Sequence, residues 1–559
     1  MTTNIFSALS SARLGLLAQQ LAIEVTGQNI ANVQTEGYSR QDVTFESNTP
    51  RTTGVGQVGK GVRIAGIERA HDQFLFSQIM GEGDLTGKTE IKKEVFEQIE
   101  VLFNEGSGRS LNNDLSAFFA AVHDLIANPR GIPERTGVLN KAEQLASTFN
   151  QTGKQLSTIQ RNIDLGIDSE VAEINSITAK ISKLNQQIHA AEPPGQYKAN
   201  DLRDNRDRLV KELSKKIDIQ LVSESDGQIS LTLKNGTALV LKDRVFELST
   251  SANGNNKSFK DIHINDGTGA LTNITSLIQG GALRGRLDMR DTEVESILDK
   301  TNLLSGAFVQ EFNRIHREGY GLDGSSGLDF FTPNDVTIKT NANNKGAPII
   351  SIVNASPTTV SPDEFEITFT SNNAFTLKNL TTNMSEGSFT FTEGATFNLK
   401  NGFAVTITGV AASGDKVEFS TSNNAASLMS VSTAITSNTQ KIAAGNTRSG
   451  DGGNALQMAA LQDSLVFNSV TLQSGSGTYT FDEFYNAVVA TIGINSFSAQ
   501  STLRQQEGVM LQLNSRRESS SGVSIDEEMI KMIKFQHAYN ASARIISVVD
   551  EMLDTLNRM

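Results

Sequence analysis

The sequence predicts a multidomain α+β chain: N- and C-terminal helices forming a coiled coil, a long helical bundle layer, and two inserted β-rich domains. Three observations carry that prediction. Apolar residues recur every seven positions at both ends, every three or four through a long internal stretch, and every second position in two other internal segments. At 559 residues the chain also exceeds what one apolar core organises, so several domains are expected.

In the first segment, Asn4 to Val33, the residues Leu9, Leu16, Ile23 and Ile30 lie seven apart, with Ile5, Ala12, Gln19 and Thr26 on the companion positions. That spacing predicts a helix with a narrow apolar seam, suited to pairing with another helix. At the other end Ile525, Met532, Tyr539, Ile546 and Leu553 repeat the device, accompanied by Phe535, Val549 and Leu556. Ser524, followed three residues later by Glu527, has the capping-box pattern of a helix start, and Gly522 separates this last helix from one predicted over 482–513. In an arbitrary protein, amphipathic ends belong more often to an internal core than to an assembly surface. Here both segments occupy the chain extremities and both keep period seven, which favours helix pairing and assembly.

Helical patterns continue over 88–103, 111–127 and 133–191, the last being either one long bundle helix or a pair. Pro193-Pro194-Gly195 ends it, because neither proline can continue the hydrogen-bond ladder. Further helices are predicted over 202–213 and 291–316. Between them, Gln228 to Leu233 alternates with period two and runs into an Asn235-Gly236 turn, the signal of a hairpin. A second alternating region contains Phe365 to Thr370 and Phe403 to Thr408. The expected units are a terminal coiled-coil domain (1–55 with 515–559), a helical layer (56–213 with 284–330 and 426–514), an inserted β domain (214–283) and a second β-rich outer insert (331–425).

Chemistry is poorly supported. A net charge of −13 disfavours nucleic acid and anionic membranes as partners, and the absence of cysteine removes disulfides, thiolate metal sites and a Cys nucleophile. No basic n-region or long apolar run follows Met1, so export by a cleaved signal peptide is not expected, and no stretch is apolar enough to suggest a membrane span. Gly54-Val55-Gly56-Gln57-Val58-Gly59 matches a dinucleotide fingerprint, but the strand-like Val62 to Ile67 follows where a helix is required, so a glycine-rich hairpin is expected. His71, His123, His189, His263, His316 and His537 form no metal-binding pair and read as partly exposed helix or loop residues. Asp323 to Asp329 lacks calcium-loop spacing and reads as a turn. No catalytic residue, cofactor-binding residue or metal ligand is assigned, and the chain is expected not to be an enzyme.

Gln28-Asn29-Ile30-Ala31-Asn32-Val33-Gln34-Thr35-Glu36-Gly37-Tyr38-Ser39-Arg40-Gln41 closely resembles the N-terminal signature of flagellar rod, hook and hook-associated proteins, the flagellar axial family. Its physics is legible: Asn32 can end the helix, Gly37 supplies a turn conformation costly to other residues, and Tyr38 gives an aromatic anchor. Asp201 to Asp207, Gly281 to His316, Phe481 to Thr491 and Ser520 to Glu528 narrow the resemblance to the hook-associated branch. The resemblance implies a structural subunit at the junction of hook and filament, copies of itself in a ring, hook protein below and hook-associated protein 3 above. It also implies a chaperone on the C-terminal helix and uncleaved export through the flagellar type III apparatus. The assembly interface is then expected at Leu9, Leu16, Ile23, Ile30, Asn32, Gly37, Tyr38, Ile525, Met532, Phe535, Tyr539, Ile546, Val549, Leu553 and Leu556. Another axial subunit, or an adhesive surface protein, stays open as an alternative.

Overall fold

The computed structural model describes residues 2–53, 56–103, 110–192, 197–265, 267, 269–355, 361–399, 402–446, 450–469, 473–474 and 477–558. Its helices are α1 (Thr2–Ala31), α2 (Gln73–Phe103), α3 (Leu111–Ala127), α4 (Ile132–Ala191), α5 (Asn200–Lys216), α6 (Gly281–Asp288) and α7 (Val294–Glu318), then the short α8 (Ala425–Leu428), α9 (Thr433–Ser437) and α10 (Gly453–Ala460), and finally α11 (Phe481–Ser521) and α12 (Ile525–Arg558). The fold is mixed α+β, as predicted.

The spine of the molecule is α4, one unbroken helix of 60 residues rather than a pair. Pro133 sits in its first turn, where the missing N–H costs nothing. Leu156, Ile159, Ile163, Ile167, Val171, Ile174, Ile177, Ile181 and Ile188 are all buried, so the alternation in threes and fours keeps one face covered throughout. The expected terminator, Pro193 to Gly195, lies outside the described residues.

Two cores divide that face. Around the N-terminal half, Phe149 joins Phe118 and Phe119 of α3, Phe308 and Phe312 of α7, and Phe330 and Phe331. Their rings meet mostly edge to face, 5.1 Å between Phe118 and Phe312 and 4.9 Å between Phe330 and Phe331, the arrangement aromatic quadrupoles prefer. Along the C-terminal half, Ile167, Val171 and Ile174 pack with Leu209, Val210 and Leu213 of α5 and with Leu231, Leu233 and Ile262 of the first insert. That insert holds a four-stranded antiparallel sheet (Ile219–Ser223, Ile229–Leu233, Ala238–Leu241, Arg244–Val245) and a three-stranded one (Leu248–Ala252, Lys260–Asn265, Leu271–Asn273). Gly236 has the left-handed φ of 90° that the predicted Asn235-Gly236 turn needs.

The second insert closes a core of its own. Its five-stranded sheet runs, in spatial order, Thr337–Thr340, Lys416–Ser420, Glu364–Ser371, Ala374–Asn379, Met384–Thr390; a three-stranded sheet orders Ile349–Asn354, Phe403–Thr408, Thr396–Asn398. Alternate residues Phe365, Ile367 and Phe369 point inward to meet Phe375, Phe403, Val405 and Phe419 from both sheets.

Residues 54 and 55 of the glycine string lie outside the described residues; Gly56–Val58 pairs with Arg51–Thr53, and Val62–Arg69 is a strand paired with Gln41–Ser47. The next described element after Gly56–Val58 is the strand Val62–Arg69, not the helix that a dinucleotide fingerprint requires. Asp323 accepts hydrogen bonds from Ser325 N–H (3.0 Å) and Ser325 Oγ (2.6 Å) within a turn. His316 departs from expectation: it is fully buried, because α7 presents it to the layer core, where Phe330 packs edge-on. Its Nδ1–H donates to Leu328 O (2.7 Å) and its Nε2 accepts from Ala443 N–H (2.9 Å). Burial pushes its pKa down to about 4. The helix predicted from 291 instead continues from α6 through a π turn, Met289–Glu293, into α7. Among the described residues, no helix is long and apolar enough to cross a membrane.

Candidate assembly interface

The two chain ends meet. Helices α1 and α12 pack along each other, and the hairpin formed by Gln41–Ser47 and Val62–Arg69 covers another side of α1. Two neighbours change the seam. Ala12, Ala18, Ala22 and Val25 are the buried apolar residues of α1, while Leu9, Leu16, Ile23 and Ile30 are only half-buried. The seam therefore keeps the companion positions Ala12 and Thr26 of the predicted repeat and adds Ala18, Ala22 and Val25 beside it, small side chains that let α1 approach both neighbours closely. A Cβ on Gly15 would stand 3.2 Å from Ser542 Oγ, and one on Gly61 would stand 3.1 Å from Ser11 Cα.

On α12, Val549 is buried and Met532, Phe535, Tyr539, Ile546 and Leu553 are half-buried, with the Phe535 ring 6.2 Å from Phe45. Ile525 is exposed within the chain. The side chain of Leu556 lies outside the described residues. The sequence reading missed a second apolar face: Met529, Ile530, Ile533, Ile545, Val548 and Met552 are large and exposed. An α-helix apolar on more than one face is built to have more than one neighbour.

A polar hub fixes the register of the pair. Asn29 is fully buried; its Nδ2 donates to Gln41 O (2.8 Å) and Glu528 Oε2 (2.8 Å), and its Oδ1 accepts from Gln41 N–H (3.0 Å) and Tyr38 OH (2.9 Å). Every hydrogen-bonding position of the amide is used, so a one-residue slip would strand a buried amide and the buried Glu528 carboxylate. Lys531 pairs with Glu528 at 2.9 Å. Burial, with Asp201 and Asp204 nearby, raises the Tyr38 pKa to about 12 and keeps its hydroxyl a donor. Helix α1 stops at Ala31; Asn32 N–H and Nδ2 both donate to Gln28 O (3.0 Å each), and Gly37 takes the left-handed φ of 84° that turns the chain back.

The turn is bolted to α5 through Asp201, Asp204 and Asp207, three apart on one helical face. Asp201 accepts from Gln41 Nε2 (2.8 Å), and Asp204 accepts from Ser39 N–H (2.8 Å) and Ser39 Oγ (2.9 Å). Arg69 spans Asp204 (2.6 Å) and Asp207 (2.7 Å). Arg203 and Arg206 point elsewhere, to Glu192 and to Asn185 with Gly227 O. The spacing of the aspartates was visible in the sequence, but their partners, up to 165 residues away, were not.

A cleft of about 530 Å³ opens beside this joint, with Ser39, His71, Phe76, Asp207, Lys211 and Arg517 in its wall. Ser, His and Asp share the wall without forming a triad, because Ser39 Oγ donates to Asp204 rather than to His71, so no base activates it. Burial and the neighbouring Arg517 lower the Lys211 pKa to about 8.

The paired termini leave apolar helix surface uncovered, and family models match both ends and the layer between them. Residues 96–331 match the flagellar hook-associated protein FlgK helical domain, 515–559 match the flagellar basal body rod FlgEFG protein C-terminal region, and 9–38 match the flagella basal body rod protein. Flagellar hook-associated protein 1 of Salmonella typhimurium is 27% identical over 560 residues, spanning 98% of this chain and 99% of that protein. The Bacillus subtilis protein of the same name is 26% identical, spanning 99% and 98%. The solved structure of the flagellar hook junction protein FlgK from Burkholderia pseudomallei shares the fold, with a TM-score of 0.67 at 18% identity, over 79% of this chain and 100% of that one. The terminal matches give the two ends the character of flagellar axial proteins. Within that class the similarity that runs through nearly the whole chain is to flagellar hook-associated protein 1.

Proposed function

We propose that the chain is a structural subunit of the bacterial flagellum, polymerising as the first junction ring between hook and filament, and that it is not an enzyme. The observation that carries this reading is the second apolar face of α12, left uncovered while the first is pinned to α1 through Asn29 and Glu528. Burying each of those large side chains against neighbouring copies would contribute about 1.5–3 kcal/mol. The terminal unit, 1–55 with 515–559, forms the inner assembly element; the helical layer surrounds it and the inserts 214–283 and 331–425 lie outside. Hook protein and hook-associated protein 3 are the axial neighbours, a chaperone holds α12 before export, and export proceeds through the flagellar type III apparatus without cleavage. Residues Asn32, Gly37 and Tyr38 set the angle at which the terminal pair leaves the layer.

The test uses a strain whose only copy carries Ile530→Asp and Ile533→Asp. The variant should be exported into the medium, be absent from hook tips by immunogold labelling, and leave cells without filaments. Normal filaments on such cells would overturn the assembly role of this face.

A further inference from the structure

The second insert guards its sheet edges with one exception. Its five-stranded sheet is bounded by Thr337–Thr340, which carries Lys339, and by Met384–Thr390, which carries Glu386. A charge on an edge strand discourages pairing with another chain, because docking would strip water from the ionised group. The three-stranded sheet lacks that protection. It is bounded on one side by the three-residue Thr396–Asn398 and on the other by Ile349–Asn354, and none of its strands holds a charged residue. From Gly346 to Pro362 the chain carries no charge at all.

The ladder fixes which backbone groups of that edge are free. Ile349–Asn354 pairs antiparallel with Phe403–Thr408, and the flanking bonds from Ala347 N–H to Val410 O (2.8 Å) and from Ala355 N–H to Gly402 O (2.9 Å) keep the same register. Hydrogen bonding alternates along an antiparallel strand, so Ile349, Ser351 and Val353 bond to Phe403–Thr408, while Ile350, Ile352 and Asn354 turn N–H and C=O to the other side. Among the described residues no strand pairs with that side. Pro348 faces the same way without an N–H to offer, which limits the open stretch to the residues after it. Ile352 is anchored in the insert core, whereas Ile349 and Val353 are exposed on the outer face, 69% and 54%.

We propose that this open edge is a docking strand for a second copy of the chain, the two Ile349–Asn354 strands pairing antiparallel about Ile352 so that two outer inserts share one continuous sheet. A two-fold axis at Ile352 sets it against its equivalent and sets Ile350 against Asn354 of the other copy, so every outward N–H meets an outward C=O. On the outer face Ser351 stands opposite Val353, and part of the exposed apolar surface is covered. The strand suits itself as a partner: it is β-branched, opposes no like charges and buries no ionised group. Because the contact is two-fold, it cannot run round a ring of copies related by rotation; it joins free subunits or subunits of separate assemblies. An edge this short buries little surface, so the pair is weak and depends on concentration.

The test uses the full chain carrying Ile530→Asp and Ile533→Asp, which removes association through α12 and keeps the outcome separate from the assembly role of that helix. At about 100 µM this chain should sediment as monomers exchanging with dimers. Adding Asn354→Pro, at an exposed position, deletes one outward N–H in each copy and should weaken dimerisation at least about tenfold, with an unchanged circular dichroism spectrum. The register is tested by mixing copies carrying Val353→Lys with copies carrying Ser351→Glu. The new ammonium and carboxylate stand opposite each other, so the mixed pair should form about twofold to fivefold more tightly than either variant pairs with itself. A chain that stays monomeric overturns the docking strand. So does dimerisation undiminished by Asn354→Pro, or a mixture no tighter than its components; if Asn354→Pro does not fold, the mixture of the two exposed-site variants decides.

Discussion

The helical layer and the terminal pair are both built from long helices, yet they complete their cores differently. In the layer, Phe118, Phe119, Phe308, Phe312, Phe330 and Phe331 are entirely enclosed by residues of the same chain. In the terminal pair the fully buried residues are alanines, Val25, Val549 and a polar hub, the larger seam residues are only half-buried, and Ile530, Ile533 and Ile545 are exposed. The layer thus carries the stability of the monomer, whereas the terminal pair carries register. An aromatic core is tight and tolerant of few changes; a polar hub with thin apolar flanks specifies alignment and leaves the remaining apolar area for neighbours.

The largest expected effect is in the layer. Phe308→Ala removes a ring that meets Phe118, Phe119, Phe312, Phe331 and Phe481, and should lower unfolding stability by about 3–5 kcal/mol in urea titrations. A loss below about 1 kcal/mol would mean that the layer core relaxes far more than its packing implies.

Acid sharpens the comparison next. His316 is held neutral, with its pKa depressed to about 4, so its contribution is present above the ordinary histidine value and is lost as pH falls through the folded one. Relative to a His316→Gln variant, the layer should lose about 3 kcal/mol between pH 6.5 and pH 4. Equal acid sensitivity of both proteins would remove His316 as the cause.

Asn29→Ala tests the other region. It strands the Glu528 carboxylate and Tyr38 hydroxyl, and should cost the terminal pair about 1–3 kcal/mol, read as faster amide exchange over 2–45 and 520–558 while α3 and α4 stay protected. Exchange accelerating equally in the layer would mean that the two regions unfold together.

The smallest effect on the monomer belongs to Ile533→Ser. Its side chain is 52% exposed, so stability should stay within about 0.5 kcal/mol of the parent, while incorporation at hook tips falls. A stability loss comparable with that of Asn29→Ala would mean that this face is already covered within the chain.

Much of the architecture was legible in the sequence because periodicity is a local property. The alternation through Ile159, Ile163 and Ile167 specified α4, and Asn235-Gly236 specified a hairpin, since each depends on residues close in the chain. The axial signature around Asn32, Gly37 and Tyr38 was readable for the same reason: a helix stop followed by a left-handed glycine is a short-range pattern. Period seven located the terminal seam only approximately, because it assumes one partner per helix, and α1 has two.

What the sequence determined by itself is the set of elements, the absence of thiol chemistry and the special character of the two ends. Only tertiary structure decided which residues join them. Asn29 meets Glu528 across 499 positions, and Ser39 meets Asp204 across 165. Hydrogen bonds and charge pairs act over a few ångströms of space without regard to chain separation, so neither composition nor spacing encodes them; they exist only once the layers have packed.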